Sequence, residues 1–109
     1  MVRYSQKGIH TLLNAKERKR IVILGEIISK REFKTKRGHE MCIMTLEDLG
    51  ESYEVVLWKE FLVKARKENK IFNKGSVVLL SGYKGKSPKG ESQLSLGRES
   101  GTYIKILKE

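Results

Sequence analysis

The one tryptophan of this chain, Trp58, closes the run His39–Phe61, HEMCIMTLEDLGESYEVVLWKEF, and its neighbours decide what it can do. The run reads as two strands joined by a tight turn at Asp48, Leu49 and Gly50, so side chains should alternate between faces. Cys42, Met44 and Leu46, then Tyr53, Val55 and Leu57, form a core set. Met41, Ile43 and Thr45, then Glu54, Val56 and Trp58, take the outer face. An outward Trp58 beside Ile43 and Val56 makes a contiguous apolar group on a heavily charged chain, which suits contact with something flat. The chemistry on offer is stacking. An indole can lie against a nucleic acid base, with Ile43 as an apolar floor between bases. The alternative is Trp58 packed at a strand end against a helix; strand parity and the neighbours favour the outward reading.

Charge points the same way. The 109 residues carry 23 Lys and Arg against 13 Asp and Glu, a net charge of +10 and a pI near 9.8. An acidic partner follows, although a lysine-rich solvated surface is the plainer explanation until position is considered. The cations cluster. Lys34, Lys36 and Arg37 lead through Gly38 to His39, and Lys84, Lys86 and Lys89 sit in KGKSPKG, Lys84–Gly90, which reads as a mobile, exposed loop. Tyr83 either closes the core or stands at the mouth of that loop, and Arg98 can reach the same groove. Cations on two loops bracketing one apolar face fit phosphate capture along a strand.

Other chemistries find little support. Glu47 and Asp48 are adjacent and would point to opposite faces, there is no Gly-rich phosphate loop, and no Ser or Cys has a base beside it. We therefore expect no enzyme and no cofactor. His10 and His39 lie far apart without a cysteine or carboxylate cluster, so no metal is expected. Cys42 sits in an apolar strand with no partner for a disulfide, which fits a reducing compartment. No apolar run reaches the length of a membrane span or a signal segment. The expectation is a cytoplasmic, nucleoid-associated protein that meets neither a membrane nor a small-molecule substrate.

These side chains need a scaffold, and the remaining segments supply one. Residues 1–19 read as a polar N-terminal segment in which Ile9, Leu12 and Leu13 form a short helical turn, and 20–109 as the folded domain. Arg20–Phe33 is a long strand with Gly25 marking a bulge or bend. KEFLVKARKENKIF after Trp58 should be the main helix, burying Phe61, Leu62 and Ala65. Ser76–Tyr83 is the fourth strand, and a fifth begins at Gln93–Leu96, breaks at Gly97–Gly101 and resumes over Thr102–Leu107. Five strands with a helix between the third and fourth match the all-β, five-stranded Greek-key barrel called the OB-fold. In that fold ligands cross strands two and three, between the loops that join strands one to two and four to five. Those are the lysine-rich loops.

Over Ile23–Arg98 the pieces LEDLGESYEVVLW, KGSVVLLSGY and QLSLGRES resemble the DNA-binding OB domains of replication protein A and its archaeal single-stranded DNA-binding relatives. TKRGHEMCIMTLED followed by EVVLW is also similar to the OB domains of bacterial replicative polymerase subunits and class II aminoacyl-tRNA synthetases. The first resemblance implies that Trp58 stacks on a base. The chain departs from larger members of that group in its single OB unit and its lack of zinc-binding cysteines. The expected partner is single-stranded DNA, with RNA possible, bound with little sequence preference in replication, recombination or repair. The rival is an accessory or structural OB subunit whose apolar face docks on a replication or repair protein, such as a polymerase or a larger single-strand-binding complex. Transfer RNA anticodon recognition is a third reading and would require a fused catalytic domain.

Overall fold

The computed structural model describes residues 20–48, 50–87, 89–98 and 101–108. The expected helical turn at Ile9, Leu12 and Leu13 lies outside the described residues. The elements are β1 (Arg20–Lys34), β2 (Glu40–Asp48), β3 (Glu51–Leu57), α1 (Lys59–Lys67), β4 (Val77–Lys86), β5 (Ser92–Leu96) and β6 (Tyr103–Lys108). The strands run in the order β1-β2-β3-β5-β4-β6, and a β1–β4 pairing closes the barrel. β3 and β5 are parallel. β5 and β6 lie end to end along one edge of β4, with Tyr83 opposite Ser95 and Ser81 opposite Tyr103. They are the expected fifth strand, interrupted where the glycines stand, and the closed five-stranded OB-fold is present.

Gly25 does something other than bulge. The register slips instead at Ile28, between Ile27 and Ser29, where β1 has exchanged its partner β4 for β2. At Gly25 the barrel wall comes close to the Tyr53 side chain. The Tyr53 hydroxyl donates to the Leu24 carbonyl at 2.8 Å, and a β-carbon on Gly25 would stand 2.5 Å from that hydroxyl. A side chain there would force Tyr53 to shift and strain its bond to Leu24.

Strand parity holds on the inner side. Cys42, Met44, Leu46, Tyr53, Val55 and Leu57 are buried together with Ile23, Leu80, Leu94 and Ile104. Burial pushes the Cys42 thiol up to about 11, so it is an inert core group at neutral pH. Met41 is one of two exceptions on the outer side, Val56 being the other. Met41 was expected to be outward yet is only 8% exposed, and it shares a hollow with Leu62 on α1, so the helix covers it. The helix itself ends at Lys67, short of the expected Phe72, because the chain turns out through Asn69 at φ 56. Its inner face is the expected one, Phe61, Leu62 and Ala65, and Phe72 returns to pack 6.2 Å from Phe61.

Candidate nucleic-acid interface

The outer face of β2, β3, β5 and β4 is built from cross-strand rows. Ile43, Val56, Ser95 and Tyr83 are successive Cα partners across the sheet and form one row. Thr45, Glu54, Gln93 and Gly85 form the next. Two residues beyond Val56, Trp58 leaves β3 on this side. Its indole Nε1 donates to Ser95 Oγ at 2.7 Å, which fixes the ring along the edge of the row. The Arg98 guanidinium lies over the ring, 3.5 Å from its centroid. A ligand base must therefore displace Arg98 or stack upon it. An exposed cation–π contact is worth about 0.5–1 kcal/mol and base–aromatic stacking about 1–3 kcal/mol, so displacement is favourable.

Beside the indole opens a cleft of about 440 Å³ whose walls include Thr35, Lys36, Arg37, His39, Lys59 and Arg98. Fold topology thus gathers Trp58, Lys36, Arg37, His39 and Arg98 around one space. Lys34 is exposed at the end of β1 and lines a different hollow, shared with Phe33 and Leu62. Glu40 stands between the two hollows and is paired with Arg66 of α1, which holds its carboxyl below the usual range. That acid is thereby compensated within the protein.

The lysine-rich loops are held by hydrogen bonds in a shared pattern. In the first, Thr35 N–H donates to the His39 carbonyl, Gly38 N–H to the Thr35 carbonyl and His39 N–H to Thr35 Oγ1. In the second, Ser87 N–H donates to the Glu91 carbonyl, Gly90 N–H to the Ser87 carbonyl and Glu91 N–H to Ser87 Oγ. Gly38 at φ 80 and Gly90 at φ 84 hold equivalent left-handed positions. Arg37 and Lys89 precede them, both exposed.

The bounds expected for the loop Lys84–Gly90 are corrected: its first residues belong to a strand. β4 continues to Lys86, because Lys84 pairs with Leu94 and Lys86 with Ser92. Lys84 has the inward parity of Leu94 and is only 8% exposed, so it is a wall residue of the barrel, not a loop cation. Lys86 is exposed at the strand end and Lys89 on the loop. Val56 also differs from expectation. It belongs to the outer row but is 4% exposed, since it stands between Ile43 and Ser95 in mid-sheet. It can only be a floor beneath a ligand. Ile43 and Tyr83 are half-buried in the same row. Residues that the sequence reading passed over are Ser95, Gln93, Thr35 and Lys59. The alternation of QLSL already carried Gln93 and Ser95 to the face opposite Leu94 and Leu96.

A family model described as an OB-fold nucleic acid binding domain matches residues 21–99. The chain belongs to that family. No curated protein sequence matches it significantly. Among solved structures this OB domain is similar to the second OB-fold domain of replication protein A from Methanococcus maripaludis, with 22% identity, a TM-score of 0.56, and 85% of this chain and 88% of that one covered. It is also similar to Rim1, a mitochondrial single-stranded DNA binding protein from S. cerevisiae, with 16% identity, a TM-score of 0.60, and 86% and 98% covered. RecG bound to a three-way DNA junction contains a similar unit, at 11% identity and a TM-score of 0.56 over 85% of this chain and 11% of that one.

Proposed function

We propose that this OB domain is a non-enzymatic binder of single-stranded nucleic acid, DNA in preference to RNA, acting in replication, recombination or repair. A base stacks on Trp58 and phosphates are drawn to Lys36, Arg37 and Arg98 on one side and to Lys86 and Lys89 on the other, with low sequence specificity. The observation that carries this reading is the indole itself, set on the outer face by its bond to Ser95 and opening on a cleft that Lys36, Arg37, Lys59 and Arg98 line together with Glu40 and Glu60. The names of the similar structures, single-stranded DNA binding proteins and a replication protein A domain, support it. The test is a titration with a short single DNA strand, its duplex and the matching RNA at two salt concentrations. The single DNA strand should bind tightest, and its affinity should fall with salt. Equal affinity for duplex, or no salt dependence, would reject the reading.

The rival, docking on a replication or repair protein, is favoured by one observation. Val22, Tyr103 and Leu107 are exposed on the β1–β4–β6 side, with Val22 and Tyr103 both paired to Ser81. A domain with no affinity for any strand would make docking the preferred function.

A further inference from the structure

Glu54 stands in the middle of a face that is otherwise suited to a polyanion, in the row next to Val56 and on the same side of β3. Two residues along a strand span about 7 Å, so a base resting over Val56 and Ile43 brings its edge close to this carboxylate. The side chain is held in place, for Gln93 Nε2 donates to Glu54 Oε1 at 3.1 Å. Gln93 is 9% exposed and Glu54 half-buried, so neither sweeps freely through solvent. A fixed carboxylate repels phosphate, which should keep the backbone of a strand toward the cationic loops and turn its bases to the sheet.

We infer that Glu54, positioned by Gln93, selects bases that carry an exocyclic amino group over thymine or uracil. This rests on the strand-binding reading above and concerns the same face. A carboxylate only accepts hydrogen bonds. Cytosine and adenine offer an amino N–H at the pairing edge, and guanine offers an amino and a ring N–H side by side. Thymine and uracil offer a single ring N–H flanked on both sides by carbonyl oxygens, which repel the incoming carboxylate. Bonds to an ionised acceptor are the stronger kind, and a carboxylate accepting from the cytosine amino group is a recurrent base contact. Stacking on Trp58 remains indifferent to the base, so the result is a compositional preference and not the reading of a sequence.

The test compares oligo-dC with oligo-dT of equal length by fluorescence anisotropy, at slightly alkaline pH so that cytosine stays unprotonated. Oligo-dC should bind about fivefold more tightly, as befits one partly solvated contact. Glu54→Ala should bring the ratio near one, by removing the contact with oligo-dC and relieving the repulsion of oligo-dT, while Glu54→Gln, which keeps an acceptor but no charge, falls between. Gln93→Ala should reduce the ratio without raising overall affinity. Equal binding of the two strands by the unmodified protein, tighter binding of oligo-dT, or a ratio that Glu54→Ala leaves unchanged would overturn the inference while the strand-binding reading stands. Failure of both strands to bind, with the Trp58 fluorescence unmoved, would overturn both.

Discussion

The two cationic loops of this barrel are the same turn in different surroundings. Thr35–His39 and Ser87–Glu91 share their hydrogen bonds, their Ser or Thr at the first position and their left-handed glycine. They differ in what stands beside them. The first borders the cleft that holds Trp58 and Arg98, and its described residues include the neighbouring cations Lys36 and Arg37. The second joins β4 to β5 at the far end of the rows and ends in Glu91. A hydrogen-bonded turn presents its cation from a pre-set backbone, so less order is lost when a phosphate binds. The turn alone does not make a site, however. Combined with an aromatic platform it becomes one, so the first loop should anchor the ligand and the second should only extend its track.

That contrast can be broken by mutation. Replacing Lys36 and Arg37 together by Ala should give the largest loss of affinity, and the slope of log K against log salt should fall by about 0.7 for each phosphate contact, or about 1.4 for the pair. Titration of the double variant over a salt series reads both. Lys89→Ala should cost less affinity and lower the slope by about 0.7 at most. A larger effect at Lys89 than at the Lys36 and Arg37 pair would move the anchor to the second loop. The smallest and most even effects should come from Gly38→Ala and Gly90→Ala. Nothing lies within 4 Å of a β-carbon at either position, so the cost is that of the left-handed backbone alone, about 1–2 kcal/mol of stability each. Denaturant unfolding should find the two equal. A clear inequality would show that the turns are not the same device.

Much of this was legible in the residues. Alternation across Cys42–Leu46 and Tyr53–Leu57 assigns both faces, because the inner set is apolar throughout and the outer set is mixed. The glycines at Gly97 and Gly101 mark the break between β5 and β6. What could not be read arises from neighbours distant in the chain. Val56 looks like a surface residue until β5 is laid beside β3. Lys84 looks like a loop residue because lysine and glycine surround it, yet pairing with Leu94 keeps it in β4 and turns it inward. Thr35 and Ser87 gave no sign that their hydroxyls would close the two turns, although T-K-R-G-H and S-P-K-G-E are parallel strings. The stacking of Arg98 on Trp58 depends on the β3–β5 register and has no local signal. Glu54 has outward parity, but nothing near it in the chain marks it as a contact for a ligand, because its partner Gln93 lies on β5.

The claim everything else depends on is that Trp58 is a platform for a base, and its fluorescence tests this directly because no other tryptophan contributes. Adding a short single strand should displace Arg98 from the ring and quench the emission, duplex should quench it much less, and Trp58→Ala should fold normally while losing about 1–3 kcal/mol of affinity. Unchanged emission on saturation with a single strand, or a Trp58→Ala variant that binds as tightly as the parent, would contradict the account.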